Sequence, residues 1–304
     1  MWPTRSERRE ELAQALLDFS NRHVTLAGIT DDRHRDTLAM QMVASLRRID
    51  YTRAIKSRDI ASDRTAPNSS LFEPERAAAL LARNGQLDEA IWLIFLATHF
   101  GQHGRHKWRM LRDVYSGLGR RPWTWGRVSS NPRLFRDWLQ SNFHRIGGAF
   151  GNHRKYETLN PASNNGTATV VESFVTCFAP APSRWFSDLV RSEGNDPHRL
   201  FDAAYRKLTI ARFGRLAKFD FLALLGRLDL APIAPGSAYL AGATGPLRGA
   251  RLLVDGNVNS TRSASELEGI LQELDRYLHV GMQVMEDSIC NWQKSPATFV
   301  HFRG

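Results

Sequence analysis

The spacing of the apolar residues constrains the fold of this chain more than any other feature. Along most of the sequence they recur every three to four positions, as in two stripes near the start: Leu12, Leu16, Leu17 and Phe19, then Leu38, Met42, Val43 and Leu46. That spacing places apolar side chains on one face of a helix, whereas a strand alternates polar and apolar residues. No convincing alternation and no internal repeat is found, so the sequence predicts an all-α fold.

The same pattern predicts where the helices lie. Beyond the two N-terminal helices we expect helices over 74–84, 87–100, 167–178, 184–193, 197–210 and 214–228, and a last long helix over 265–292. The Asn84-Gly85 pair is typical of a helix break, and Asp196-Pro197 of a helix start. The stretch 99–160, rich in Gly, His, Arg and Trp, and the Pro/Gly-rich stretch 231–253 are expected to be irregular. Polar residues 61–70 resemble a linker, which predicts an N-terminal helical segment (1–70) and a main domain (71–304).

The charge of the chain indicates its partner. Lys and Arg number 41 against 31 Asp and Glu, a formal net charge of +10, and 35 of the cations are Arg. Arg binds phosphate in a bidentate manner that Lys does poorly. A GC-rich genome would explain the choice of Arg over Lys, but it would not explain an excess of cations over anions. The excess favours a polyanion, nucleic acid more often than an acidic membrane, so DNA is the expected partner.

Other compositional features narrow the class of protein. Two cysteines, Cys177 and Cys290, form neither a disulfide framework nor a zinc ribbon. The longest apolar run, Ile91 to Ala97, is far shorter than the roughly 20 residues that cross a bilayer. We therefore expect a cytoplasmic protein away from membranes, and no pattern indicates a cofactor or an obligate protein partner.

The first candidate site is HFGQHGRH, in which His99, His103 and His106 recur at three- and four-residue spacing. Two His four apart on a helix can ligate zinc, but Gly101 and Gly104 interrupt a helix here and no Cys pair supports a metal. Contact with a substrate or a phosphate, or simple packing, is favoured over metal binding. Glycines would bring the backbone close to a ligand, beside the donors His103, Arg105, His106 and Lys107.

The second candidate site spans 147–157. Three glycines (Gly147, Gly148 and Gly151) precede four donors, Asn152, His153, Arg154 and Lys155. Glycine-rich backbone beside cations suits a phosphate, Tyr156 suits stacking on a base, and Glu157 suits polarising a water molecule. The alternative is a solvated loop between helices.

A third segment carries Trp123 and Trp125 between Arg residues. Such a pattern suits stacking on unpaired or flipped bases. Burial of both rings against neighbouring helices is an equal alternative.

The fourth segment, 208–220, reads as a helix, a tight turn at Gly214 and a second helix. A helix-hairpin-helix of this shape offers backbone N–H groups to a DNA phosphate, with Arg212 and Arg215 alongside, although any αα-hairpin looks similar. Lys218 and Asp220 follow the turn. An amine suits nucleophilic attack and a carboxylate suits activating water or stabilising a sugar cation, whereas a surface ion pair is the commoner role.

Long motifs in the second half of the chain carry a family resemblance. They are HFGQHGRHKWRMLRDVYSGLG, FGNHRKYE, GNDPHRLFDAAYR, RFGRLAKFD, PGSAYLAGATGPLRGARLL and MEDSICNWQKSP. Together, over roughly residues 75–304, the chain resembles the alpha-glutamyl/putrescinyl thymine pyrophosphorylase family.

The resemblance implies an enzyme of modified DNA. The family was named for a role in thymine hypermodification, in which a pyrophosphorylated 5-hydroxymethyluracil loses pyrophosphate to an amine. It implies a fold related to helix-hairpin-helix DNA glycosylases. Its relatives include anti-phage enzymes that excise bulky bases such as glucosylated hydroxymethylcytosine. Both activities require a large pyrimidine to leave the base stack.

The chain departs from typical helix-hairpin-helix glycosylases at one position. Those enzymes carry an Asp about twenty residues beyond the hairpin, where this sequence has Pro235-Gly236-Ser237 and no carboxylate. A catalytic carboxylate must come from elsewhere, and Asp220 is the first candidate, followed by Glu157. Lys218 is a third candidate for catalysis, through its amine.

The leading hypothesis is a DNA glycosylase, with 71–304 as its catalytic domain. The expected DNA-binding residues are Arg154, Lys155, Asn152, His153, Arg212, Gly214 and Arg215, and the expected base pocket comprises Tyr156, Trp125, His99, His103, Tyr115 and Asp287. The alternatives are a transferase that replaces pyrophosphate on 5-hydroxymethyluracil, and a non-catalytic DNA-binding module.

Overall fold

Every regular element in residues 5–301, the part of the chain that the computed structural model describes, is a helix. The prediction of an all-α fold is confirmed. In chain order the α-helices are α1 (Ser6–Arg22), α2 (Asp32–Ser57), α3 (Pro74–Arg83), α4 (Leu87–Phe100), α5 (Arg109–Tyr115), α6 (Trp125–Ser130), α7 (Pro132–Asn142), α8 (Thr167–Phe178), α9 (Pro182–Glu193), α10 (Pro197–Lys207), α11 (Arg215–Arg227), α12 (Gly245–Asp255), α13 (Ala264–Leu278) and α14 (Met282–Trp292). None of these described helices is long and apolar enough to span a membrane.

Contacts between residues divide the described chain into two compact units. One comprises 5–51 and 235–301, and the other comprises 52–234. The predicted division at residue 70 follows sequence order, whereas contacts group α1 with helices from the far end of the chain, because Leu16 and Phe19 share an apolar core with Leu271. The division into 1–70 and 71–304 stays a prediction about domains.

The unit formed by 5–51 and 235–301 is built on close helix packing. Helix α12 lies on α14, and a side chain at Gly249 would meet the carbonyl of Ile289. The sequence predicted that 231–253 is irregular, and that prediction is wrong over α12. Its glycines permit close packing of a helix, which a single sequence does not distinguish from a flexible loop.

The last long helix predicted over 265–292 is two helices. Helix α13 ends at His279, which has a positive φ of 52°, and Gly281 has a φ of 90°. The backbone N–H of Gly281 donates to the carboxylate of Asp275 at 2.6 Å, which stabilises the break. The apolar spacing continues through the break because both helices pack against the same core.

The unit formed by 52–234 is centred on α4. Residues 90–100 are all buried, and α4 packs against α3, α5, α6, α9 and α11. A helix that is apolar on all sides is stable only when it is surrounded in this way. The predicted helices over 74–84, 87–100 and 167–178 are confirmed, and Asp196 caps α10 by accepting from the backbone N–H of Arg199 at 2.7 Å. In the stretch 99–160, expected to be irregular, the structure has α5, α6 and α7.

Candidate active site

Two glycines bring together segments that are fifty residues apart in sequence. Helix α4 ends at Gly101, which has a positive φ of 64°. The backbone N–H of Gly151 donates to the carbonyl of Phe100 at 2.7 Å. A side chain at Gly151 would lie 2.9 Å from the carbonyl carbon of Gly101. The end of α4 and the loop 151–157 are therefore in direct backbone contact.

Arg154 connects this loop to two helices. Its Nε donates to the carbonyl of Thr98 at 2.8 Å, and its guanidinium lies 3.6 Å from the carboxylate of Asp220 on α11. The side chain is only 11% exposed. Burial lowers the pKa of the Arg154 guanidinium, and the nearby carboxylates oppose that effect. Arg154 holds the site together, so the structure does not support its expected role as an exposed phosphate ligand.

Asp220 is a carboxylate with one crowded side and one open side. Burial raises the pKa of the Asp220 carboxyl, and the positive charges of Arg154, His153, Arg215 and Arg227 act against the rise. The side chain is nevertheless 45% exposed, so protein crowds it on the Arg154 side while solvent reaches the other. A carboxylate whose pKa is raised in this manner is typical of proton-transfer sites.

Glu157 links the same loop to the turn between α10 and α11. It is only 9% exposed, and both of its carboxylate oxygens lie 3.3 Å from guanidinium nitrogens of Arg212. Arg212 also donates to the carbonyl of Tyr156. Because Glu157 is paired and enclosed, the geometry favours a structural role over the expected activation of water.

Of the helix, turn and helix predicted over 208–220, the structure has a turn over 208–214 followed by α11, while the preceding helix α10 already ends at Lys207. The turn is held by Ser173, whose hydroxyl accepts from the backbone N–H of Ala211 at 2.9 Å. The N–H of Gly214 donates to the carbonyl of Arg212. Gly214 therefore does not offer the free N–H that the hairpin hypothesis assigned to it.

Lys218 does not join Asp220 in one site. Its ammonium donates to the carbonyl of Tyr205 at 3.3 Å and lies 5.6 Å from the centre of that ring. Two residues apart on a helix point about 200° from one another. The amine and the carboxylate hence face different surroundings, and the geometry favours the carboxylate as the reactive group.

An exposed aromatic residue lies beside the enclosed ion pairs. Tyr156 is 79% exposed, and the ammonium of Lys155 lies 5.1 Å from the centre of its ring. Asn152 and His153 are exposed on the same turn. Of the residues predicted for DNA binding and stacking, these four are the ones that the structure leaves accessible in the loop.

The comparisons with known proteins name the family. A sequence model of the family described as alpha-glutamyl/putrescinyl thymine pyrophosphorylase clade 3 matches residues 33–304. The chain belongs to this family. The resemblance drawn from the motifs is confirmed, and the match begins further upstream than residue 75. The family is described as an enzyme family, and its relation to helix-hairpin-helix glycosylases stays a prediction. No curated protein and no solved structure matches the sequence.

In this family member His99 belongs to the core. It is 1% exposed. The hydroxyl of Thr167 donates to the carbonyl of Thr158, so it accepts from Nε2 of His99 at 3.0 Å, which assigns the His99 proton to Nε2. Burial lowers the pKa of His99 to about 3, and the charges of Arg154 and Arg212 add to the effect. His99 is thus a neutral packing residue, which was one of the alternatives for it.

His103 forms part of a tight turn. Its backbone exchanges two hydrogen bonds with Lys107, and its Nδ1 accepts from the backbone N–H groups of Arg105 and His106. The helix break expected at Gly101 is present. Within the described residues no group of three or more His, Cys, Asp or Glu is arranged to hold a metal ion.

Three other residues expected in the base pocket lie elsewhere. Trp125 and Tyr115 are 7% and 6% exposed, and both are tied to the carboxylate of Glu89, Trp125 through its backbone N–H and Tyr115 through its hydroxyl. Asp287 belongs to the other unit, where it pairs with Arg48. The structure therefore gives no support to these three as base contacts, and for the tryptophans the burial alternative describes their position.

Sequence reasoning missed the partners that hold the site. Thr98, Thr167 and Ser173 supply the carbonyl or hydroxyl groups that anchor Arg154, His99 and the turn. These are small polar residues within helices, and nothing in their local pattern distinguishes them from solvent-facing ones.

Proposed function

We propose that this protein is a DNA glycosylase that releases a modified pyrimidine from DNA, with Asp220 as its catalytic carboxylate. One observation carries the proposal. Asp220 is half-exposed, its pKa is raised, and Arg154 holds it where the end of α4, the loop 151–157 and α11 meet. Of the other residues predicted for catalysis, Glu157 is enclosed in its pair with Arg212, and the ammonium of Lys218 donates to the carbonyl of Tyr205.

The chemistry that such a carboxylate supports is hydrolysis of an N-glycosidic bond. The bond between C1′ of the sugar and N1 of the pyrimidine breaks, and the base leaves with the electron pair. Ionised Asp220 stabilises the oxocarbenium ion that forms at C1′. A water molecule then attacks C1′ and passes a proton to Asp220, and that proton moves on to N1 of the departed base, which gives a neutral free base, an abasic site and an ionised Asp220 again.

The accessible residues of the loop suit the DNA. Lys155, His153 and Asn152 are donors for phosphates, and Tyr156 offers a face on which an unpaired base can stack. The N–H of Gly214 is already used within the turn, so at the hairpin we assign phosphate binding to the backbone N–H groups in the first turn of α11 and to Arg215. A base must leave the stack before its sugar can reach Asp220.

The family supports a modified pyrimidine as the target. Its description names thymine and a pyrophosphorylase, which fits an enzyme that recognises a modified base. Excision of such a base from phage DNA in the cytoplasm would serve anti-phage defence, and this setting forms part of the proposal.

A product assay tests the proposal. The protein is incubated with DNA carrying unmodified, hydroxymethylated or glucosylated pyrimidines, then treated with alkali, and free bases are identified by mass spectrometry. We expect alkali-labile sites and a released modified base, loss of both with Asp220→Asn, and no loss with Asp59→Asn, an exposed aspartate. Absence of abasic sites on every substrate would refute the glycosylase.

The family's description favours a second candidate, a transferase that replaces pyrophosphate on 5-hydroxymethyluracil in DNA. In that reaction an amine attacks the base methylene carbon and pyrophosphate leaves. It predicts pyrophosphate release with the strand intact and stable to alkali, so the same assay separates the two. If the wild-type chain binds DNA but gives neither product, a non-catalytic DNA-binding module would remain.

A further inference from the structure

The positive charge of this protein is concentrated in one segment. Residues 101–156 hold twelve of the 41 Lys and Arg but only two of the 31 Asp and Glu. The segment therefore carries a formal charge of +10, which is the charge of the whole chain, and the remaining residues are balanced with 29 cations and 29 anions.

Some of these cations have structural partners. Arg136 forms a bidentate pair with Glu172, at 2.7 and 2.6 Å. Arg112 donates to the carbonyl of Ser69, and Arg154 is enclosed beside Asp220. These cations are required by the fold and are not available to a ligand.

Five other cations form no close ion pair, although Arg145 donates to the side-chain oxygen of Asn142 at 3.1 Å. They are Arg105, Lys107, Arg109, Arg145 and Lys155, which we call the basic corner. All five are exposed. In the part of the chain that the structure describes, the only carboxylate within ion-pair distance of any of them is Asp113, 3.8 Å from Arg109.

The fold places the basic corner together. A side chain at Gly147 would meet the guanidinium of Arg109, and Gly151 contacts Gly101. Each of the other four cations lies within four residues of one of these two contacts, and four residues span at most about 14 Å. The turn 103–107 and the segment 145–155 are therefore neighbours, next to the loop that carries Arg154 to Asp220.

We infer that the basic corner binds the phosphates of duplex DNA beside the candidate active site, and that it supplies most of the sequence-independent affinity. This inference rests on the proposed function for the identity of the nucleic acid. Guanidinium and ammonium groups on exposed turns replace the counterions of the DNA backbone. A membrane surface would require large apolar side chains among the cations. Within 101–156, all of which the structure describes, the exposed large apolar residues are Leu134 and Tyr156, and of these only Tyr156 adjoins a cation of the basic corner in sequence.

The test measures binding of the full chain to an unmodified duplex by fluorescence anisotropy over a series of salt concentrations. The corner is reduced with Arg105→Gln and Lys107→Gln together, and separately with Arg145→Gln and Lys155→Gln. We expect each pair to weaken binding at least tenfold at low salt. The slope of log K against log salt should fall by about 0.9 for each phosphate that the variant no longer neutralises.

The matched control removes two exposed cations from the balanced part of the chain, with Arg191→Gln and Arg199→Gln. It should change the affinity less than threefold, and circular dichroism checks that every variant is folded. Corner variants that bind as the control does, or that keep the wild-type salt slope, would overturn the inference. Equal or tighter binding to duplex RNA or to anionic vesicles would overturn the assignment to DNA.

The outcome is independent of base excision. A chain that binds DNA through the corner but releases no base refutes the glycosylase and leaves the binding surface in place. If the corner variants bind DNA as the control does while the wild-type chain still releases bases, the surface is refuted and the glycosylase stands.

Discussion

Asp220 is the single residue on which the proposed chemistry depends. Its raised pKa means that the carboxyl gains its proton at a higher pH than an ordinary Asp does. Ionised Asp220 is the reactive form, so the single-turnover excision rate should fall as the pH is lowered. The midpoint of this fall should lie above about pH 4, the usual range for the pKa of an Asp. A pH profile whose acid limb lies at or below that range would contradict this.

Asp220→Asn provides the matching comparison. The rate should fall about 100-fold or more, as for loss of a general acid or base. Thermal stability at neutral pH should stay equal or rise, because burial disfavours the ionised carboxylate of the wild type and the amide removes that charge.

Tyr156 gives a second prediction for a single residue. Since the ring is 79% exposed, Tyr156→Ala should leave the melting temperature nearly unchanged. Loss of a stacking interaction worth about 1–3 kcal/mol should lower the affinity for DNA with an unpaired base by roughly 5- to 150-fold. Tyr156→Phe, which keeps the ring, should bind as wild type. Equal binding by the Ala and Phe variants would exclude stacking at this position.

His99 gives a prediction about stability and pH. Its folded pKa of about 3 lies below the ordinary value of 6.5, so between these values the unfolded chain binds a proton that the folded chain does not. Stability should therefore fall as the pH drops below about 6.5, by up to about 1.4 kcal/mol per pH unit.

A denaturant titration at pH 7, 6 and 5 measures this effect. His99→Gln should be less stable at pH 7, because it loses packing, but its stability should change less with pH. Parallel curves for the two proteins would show that His99 is not the responsible group.

At the scale of elements, the loop 151–157 is attached to the turn 208–214 by the pair of Glu157 and Arg212. The observed geometry indicates positioning, so Glu157→Gln should lower excision about three- to tenfold and should increase hydrogen exchange of the amides in 208–214. Arg212→Gln should have the same effects.

The double variant distinguishes positioning from catalysis. Because both residues act through one ion pair, the two losses should not add. A loss of 100-fold or more in Glu157→Gln alone, with exchange unchanged, would instead indicate that Glu157 takes part in the reaction.

At the scale of the whole molecule, the residues outside 101–156 carry equal numbers of positive and negative charges. We therefore expect the electrostatic part of DNA binding to depend on the segment 101–156. Unmodified duplex should raise the melting temperature by several degrees at low salt, since a ligand at 100 times its Kd stabilises by about 2.7 kcal/mol. The rise should disappear near 0.5 M salt. A shift that persists at high salt would show that contacts other than phosphate pairing dominate.

The sequence by itself determined the class of fold and most of the helices. The apolar spacing, the break at Asn84-Gly85 and the cap at Asp196 depend on residues within about four positions of one another, and such interactions can be read from a single chain. The same applies to the segments 99–107, 147–157 and 212–220, which stand out because glycines and cations are adjacent in sequence. The long motifs in these regions also identified the family.

Only the tertiary structure decided which of the singled-out groups are available. From the sequence, Arg154 and Glu157 have the same appearance as Lys155 and Tyr156, namely polar residues of one loop. In the structure Arg154 and Glu157 are enclosed in ion pairs, whereas Lys155 and Tyr156 are exposed. The sequence left open whether Trp125 is buried, and it treated α12 as a loop. Burial and pairing are set by residues such as Thr98, Asp220 and Ile289, which are far away in sequence, so no local pattern contains them. Asp220 is 66 positions from Arg154 in sequence, so only the tertiary structure places the two side chains together and leaves the Asp220 carboxylate partly exposed.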